Sequence, residues 1–204
     1  MPVKDQIKNF AKKLIEDHPD AATLRALVRT RKPAALRFRD DGIVPNNPKF
    51  PALFYRGAVE LKGRRFPPEV IIDTLFDSNG WSRSWRDTVY DFVHYHSQIH
   101  EVMGVARGSA RLECGGIKGR VLSVKAGDVL VLPAGTGHRL IQSSRDFLVV
   151  GAYPQEGTYD ECTDTRGRPD AAKRIAKVGK PKTDPVHGRG GPLLAAWRKE
   201  RAGV

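Results

Sequence analysis

Between Val89 and Tyr153 the chain reads as a series of short β-runs separated by glycine-rich turns, with no helical stripe among them. The runs are Val89–His96, His100–Ala106, Ser109–Cys114, Gly119–Val124, Val129–Leu132, His138–Gln142 and Phe147–Tyr153. Short strands at such spacing must cover one another's apolar faces, and this limits the fold to a β-sandwich or barrel. A parallel α/β architecture would need helices between the strands, and none is legible here. Val129 and Val131 are expected to face opposite to Leu130 and Leu132. Gly115, Gly116 and Gly119 mark a turn in which positive φ is inexpensive only for glycine.

Helices are expected only outside this block. Ile7, Phe10, Ala11, Leu14 and Ile15 form a helical stripe over residues 3–17, ended by Pro19. A second short helix follows from Asp20 as N-cap, with Leu24, Leu27 and Val28 on one face. Leu36 to Arg39 and Ala52 to Val59 read as β, with the rigid Pro45-Asn46-Asn47-Pro48 loop between them. Pro67 and Pro68 open a helix through Phe76 that Gly80 ends. Beyond Cys162 the composition turns to Arg, Lys, Pro and Gly, and Leu193, Leu194 and Trp197 are the strong apolar anchors. We expect an extended arm there, docking on a neighbour or on its own barrel. The division is a helical extension at 1–33, a barrel at 34–162 and a basic arm at 163–204.

Charge follows the same division. Of a net +12, about +6 sits in residues 1–39 and about +7 in 163–204, leaving the middle near neutral. Basic arms suit a polyanion, but no helix-turn-helix, zinc-finger spacing or RNP-like aromatic motif accompanies them, so solvated arms are the plainer reading. No run approaches the ~18 apolar residues of a membrane span. The start is charged from Lys4 and lacks an apolar stretch. With only two cysteines, Cys114 and Cys162, the expectation is reduced thiols in the cytoplasm.

The chemistry concentrates in His94-Tyr95-His96-Ser97-Gln98-Ile99-His100-Glu101 and, at a distance, Gly135-Thr136-Gly137-His138. Residues two apart in a strand share a face, so His94 and His96 project to one side, where both can reach a metal. Tyr90 and Phe92 fall on that side too. Alternation counted onward from His96 brings His100 rather than Glu101 to the same face, unless the chain bends near Ser97–Gln98. A carboxylate and a third imidazole would complete a mixed N/O set that suits iron, manganese, nickel, zinc or copper.

These residues resemble the two cupin motifs. The first, H-x-H, four residues, E, six residues, G, is matched by His94, His96, Glu101 and Gly108 (residues 94–108). The second, G, five residues, P-x-G-x-x-H, is matched by Gly127, Pro133, Gly135 and His138 (residues 127–142). Thr88 and Gln142 stand where the pattern has glycine and asparagine. The resemblance implies an all-β double-stranded β-helix, the cupin jelly-roll barrel, with short N-terminal helices and an extended C-terminal arm. It also implies one divalent metal held by His94, His96, Glu101 and His138. Pro45-Asn46-Asn47-Pro48, Trp81 with Trp85, Val150-Gly151-Ala152-Tyr153-Pro154 and Thr183-Asp184-Pro185-Val186 extend the likeness to the uncharacterised YjlB-like branch of the cupins.

Four protein ligands leave one or two open positions for water or substrate. The expected function is therefore a metal-dependent enzyme, of oxygenase or isomerase type, acting on a small organic molecule. That molecule would be anionic if Arg56, Arg107 or Arg139 anchors it. Glu101 can serve as base and His100 is a candidate supporting catalytic residue. Tyr90, Phe92, Trp85 and Gln142 are candidate substrate contacts. The alternative is a ligand-binding or sensing cupin with a structural metal. Long arms suit a homodimer.

Overall fold

The computed structural model describes residues 17–63, 65–163 and 168–198. The predicted helix over 3–17 lies, but for its last residue, outside them. Helix α1 (Ala21–Leu27) begins where expected: the Asp20 carboxylate accepts the Thr23 N–H at 2.7 Å and so caps the first turn. Its Leu24 and Leu27 are buried, and Val28 leaves the helix to bridge Val59.

Among the described residues nine strands follow, in two antiparallel sheets: β1 (Ala34–Leu36), β2 (Ala52–Tyr55), β3 (Trp81–Asp87), β4 (Glu101–Arg107), β5 (Ser109–Cys114), β6 (Arg120–Lys125), β7 (Val129–Leu132), β8 (His138–Ser143) and β9 (Leu148–Pro154). The larger sheet has the order β1-β2-β7-β4-β9-β3 and the smaller β6-β5-β8. Helix α2 (Pro68–Ser78) packs on the large sheet against β3, β4 and β9.

Strand burial explains the layering. β4, β7 and β9 are buried on both faces because each face has its own apolar cover. Met103, Val105, Leu130, Leu132 and Val149 point inward and meet Leu112, Cys114 and Val124 of the small sheet. Val102, Val129, Val131 and Val150 point outward onto Ile71, Ile72 and Phe76 of α2, and onto Leu193 and Trp197. The opposed facing of Val129/Val131 and Leu130/Leu132 is as expected. β5 and β6, with solvent on one side, alternate instead. The β5–β6 turn places Gly115 and Gly116 at φ +91° and +73°, whereas Gly119 has no positive φ; there a Cβ would strike the Cys114 carbonyl.

Two segments differ from the expected strands. Residues 89–96 make no continuous strand: only His94 and Tyr95 form bridges, to His138 and Cys162. β3 is an unforeseen strand, because its Ser-Arg-Ser centre is polar and a bulge between Ser82 and Trp85, with Arg83 at φ +54°, breaks its alternation.

The arm docks back on its own chain and carries two short helices, α3 (Arg168–Lys177) and α4 (Pro192–Ala196). Ala171 and Ile175 of α3 pack with Val44 and Tyr95. Trp197 stacks on Phe50 at 4.8 Å and donates its indole N–H to the Pro51 carbonyl at 2.9 Å.

Candidate metal centre

His94 and His96 lie either side of Tyr95, whose ring turns outward into the α3 contact, so both imidazoles face the interior. Reciprocal backbone bonds between His94 and His138 (3.2 and 3.0 Å) bring the third imidazole from the start of β8. Gly135, at φ +91°, turns the preceding loop and donates its N–H to the His96 carbonyl at 2.7 Å. One ligand nitrogen from each of His94, His96 and His138 falls within 4.8 Å of the others, and all three side chains are buried.

The bend that sequence reasoning left open is present, and its cause is Asp160. The Asp160 carboxylate accepts the backbone N–H groups of Ser97 (2.8 Å) and Gln98 (3.0 Å) and also the Ser97 hydroxyl. Alternation restarts after that bend. Glu101 opens β4 on the same inward face as Met103 and Val105, and its Oε2 lies 3.4 Å from His96 Nε2 and 3.3 Å from His138 Nε2. His100 goes the other way. It sits between Phe50 and Trp197, accepts the Ala134 N–H on Nδ1 and donates from Nε2 to the Gly179 carbonyl, both at 2.9 Å. Both its nitrogens are taken by backbone, so the structure does not bring His100 to the cluster.

The tautomers follow from the partners. A carbonyl accepts only, so Nδ1 is the donor in His94 (to Phe92, 3.3 Å), His96 (to Asp160, 2.5 Å) and His138 (to Thr136, 3.1 Å). The Nε2 lone pairs are thereby left free to act as ligands, the arrangement that metal-binding histidines need. Two such lone pairs then face Glu101 Oε2, which is buried and has no hydrogen-bond partner among the described residues. Acceptors facing acceptors require a cation between them, so these residues fit a divalent metal.

The electrostatics show the same need for positive charge. Burial, with His138 adding to it, pushes the His94 pKa down to about 3, which keeps that ring neutral. With no cation between them, burial works against both the Glu101 carboxylate and a protonated His96, and their mutual attraction outweighs it, holding Glu101 well below the ordinary range and raising His96. The proton that Glu101 draws onto His96 is the positive charge that a bound divalent metal would replace, leaving the ring neutral.

Aromatic rings surround the cluster. Tyr90 and Phe92 stack on each other at 4.8 Å and reach His94 at 5.1 and 5.8 Å between centroids. Two rings that sequence reasoning missed flank His96: Tyr153 at 5.8 Å and Tyr159 at 5.0 Å. Burial, and after it the nearby Glu101 carboxylate, push the Tyr153 phenol upward. Trp85 donates its indole N–H to the Tyr153 oxygen at 3.1 Å, so this candidate contact stands behind Tyr153. The inward facing of Val149 on β9 already implied Tyr153 inside, four residues on. Gln142 is exposed instead: a register shift opposite Arg111/Leu112 places an extra residue between Leu140 and Gln142, so the two no longer share a face. The candidate anion anchors are committed elsewhere. Arg139 pairs with Glu113 (2.9 Å), Arg107 pairs with Glu69 (3.2 Å), and Arg56 lies over the Phe54 ring (4.4 Å).

No protein-family model matches the chain. The uncharacterised protein YjlB of Bacillus subtilis (strain 168) is 40% identical over 163 residues, covering 79% of this chain and 94% of YjlB. Among solved structures, Bacillus subtilis oxalate decarboxylase, studied for its Mn(II) centres, superposes with TM-score 0.35 at 16% identity, over 65% of this chain and 30% of its own. The 11S globulin of Wrightia tinctoria gives TM-score 0.33 at 16% identity, over 47% of this chain and 27% of its own. The chain thus spans about 30% of the length of those larger proteins. With the identity to YjlB extending over most of both sequences, and with both histidine motifs folded onto one pair of facing antiparallel sheets, the chain belongs to the YjlB family of the cupins.

Proposed function

We propose that His94, His96, His138 and Glu101 hold one divalent metal, and that the centre is that of a metal-dependent enzyme of oxygenase or isomerase type acting on a small organic molecule. The observation that carries this reading is the buried carboxylate oxygen of Glu101, which faces two imidazole lone pairs without a hydrogen bond. When bound, the metal supplies Lewis acidity to an oxygen placed next to it. The chain's own residues do the rest. The three carbonyl-pinned imidazoles offer neutral nitrogen donors. Glu101 brings the single negative charge, and because its surroundings hold it ionised it can take up a proton only in passing. Tyr153 holds a hydroxyl proton beside that carboxylate, with its oxygen fixed by Trp85. Together they form a place where a proton can be passed at the edge of the metal site.

The free thiols of Cys114 and Cys162 support a cytoplasmic setting, and among the described residues no helix is long and apolar enough to cross a membrane. We also propose a homodimer. The exposed Ile117, Val121 and Ile141 at the small sheet support it, and sedimentation would test it.

Elemental analysis of anaerobically purified protein tests the metal, and screening of small acids, diketones and phenols for oxygen uptake or isomerisation tests turnover. We expect bound metal in the wild type, its loss in both His96→Ala and His138→Ala, and partial loss in Glu101→Gln. Unchanged metal content in the histidine variants would overturn the assignment. Metal without any turnover would favour the sensing role.

A further inference from the structure

The approach to the imidazole cluster has a chemistry of its own. Three of the rings touching His94 and His96 are strongly solvent-exposed: Tyr90 by 47%, Phe92 by 44% and Tyr159 by 40%. Large aromatic side chains normally bury their faces, so three exposed rings beside a buried polar cluster form a surface without a partner. The Tyr90–Phe92 pair lies nearly parallel, at 15°, beside His94, and Tyr159 lies beside His96. The collar thus has two sides, one next to each of two imidazoles.

Its charges are negative. Exposed Asp87 and Glu161 both act on Tyr90, raising its phenol after burial has done so, and Tyr159 donates to Glu161 at 3.0 Å. The arginines expected to anchor an anion are bound to Glu113 and Glu69 or stacked on Phe54. Among the described residues the charges acting on Tyr90 are the carboxylates of Glu161 and Asp87, so a carboxylate-rich substrate approaching the cluster would meet repulsion there.

We infer that the ligand of this centre is a planar aromatic molecule without negative charge that stacks on Tyr90, Phe92 and Tyr159 and presents an oxygen donor to the imidazole–carboxylate cluster. This rests on the metal reading above, and it narrows the substrate to one chemical class. Ring stacking supplies the affinity and orientation, as in other aromatic-lined sites. The acidic collar supplies selectivity against anions.

A matched series tests it: catechol (neutral), dopamine (cationic), 3,4-dihydroxybenzoate (anionic) and oxalate (anionic, no ring). Each is titrated anaerobically into metal-loaded protein, with dissociation constants from calorimetry and metal content measured on the same samples. The first three share one chelating head, so differences among them report charge. We expect catechol and dopamine to bind at least about tenfold more tightly than either anion. The variant Tyr90→Ala/Phe92→Ala should weaken catechol about tenfold with metal content unchanged. Because these rings are exposed, the variant should keep the wild-type melting temperature. Tighter binding of oxalate or dihydroxybenzoate, no binding of catechol, or wild-type catechol affinity in the variant would overturn the inference while the metal site stands. Absence of metal from the wild type would overturn both.

Discussion

Tyr55 donates its phenolic proton to Asp184 at 2.6 Å, both residues being fully buried, and the same carboxylate accepts N–H groups from Val186, His187 and Leu193. Burial first, then the Asp184 charge, raise the Tyr55 phenol above its ordinary value. A folded pKa above the unfolded one contributes stability below about pH 10, which is lost as the pH rises past it, because the unfolded chain gives up its proton first. Tyr55→Phe should therefore cost about 1–3 kcal/mol at neutral pH by stripping a buried acceptor of its donor. It should also flatten the alkaline fall in stability, and denaturant unfolding at pH 7 and pH 11 measures both effects. Cys114 is the second residue whose environment dictates behaviour. Complete burial pushes its thiol up to about 12, so it should resist alkylation in the native protein and react only on unfolding, as mass spectrometry with iodoacetamide would report.

The element that shapes the centre is the crossing of the 97–98 bend by residues 159–162. Asp160 grips the bend through its carboxylate and His96 Nδ1 through its main-chain carbonyl, while Arg174 of α3 donates to the Ser97 hydroxyl at 2.6 Å. Asp160→Asn, which leaves one accepting oxygen where two served, should weaken metal affinity by about 10–100-fold, the usual cost of disturbing a ligand's support. Chelator competition measures it, and an affinity equal to wild type would show that the bend holds without the charge. This element also marks where sequence stops being informative. His94, His96 and His138 were legible from spacing and motif. Counting onward from His96 favoured His100, whereas the motif resemblance implied Glu101, and counting back from the apolar run of β4 puts Glu101 inside. The bend that separates the two countings is held by a residue more than sixty positions downstream, which local periodicity cannot register. For the same reason the bulge that exposes Gln142 was invisible, whereas the positive φ of Gly115 and Gly116 and the Asp20 cap, being local, were read correctly.

Across the whole molecule, the basic arm is part of the packed structure. The mixed composition after Cys162 suggested little more than anchors, yet Leu193 and Trp197 close the outer face of the large sheet, with Trp197 against Phe50 and His100. Trp197→Ala should cost about 3–5 kcal/mol, read by chemical denaturation, through lost burial and the cavity left behind. If the arm were merely solvated, the cost would be within about 0.5 kcal/mol. The two-sheet architecture followed from alternation and turn spacing alone, because those signals repeat along every strand. That the arm would dock was legible from its apolar anchors, but where it docks depends on single contacts from far along the chain, which left no such trace. If three imidazoles and Glu101 hold one metal, X-ray absorption on metal-loaded protein should show three imidazole scatterers and an oxygen shell at about 2.0–2.2 Å, with one imidazole fewer in His138→Ala. A wild-type spectrum with fewer than three imidazoles, or one that His138→Ala leaves unchanged, would contradict it.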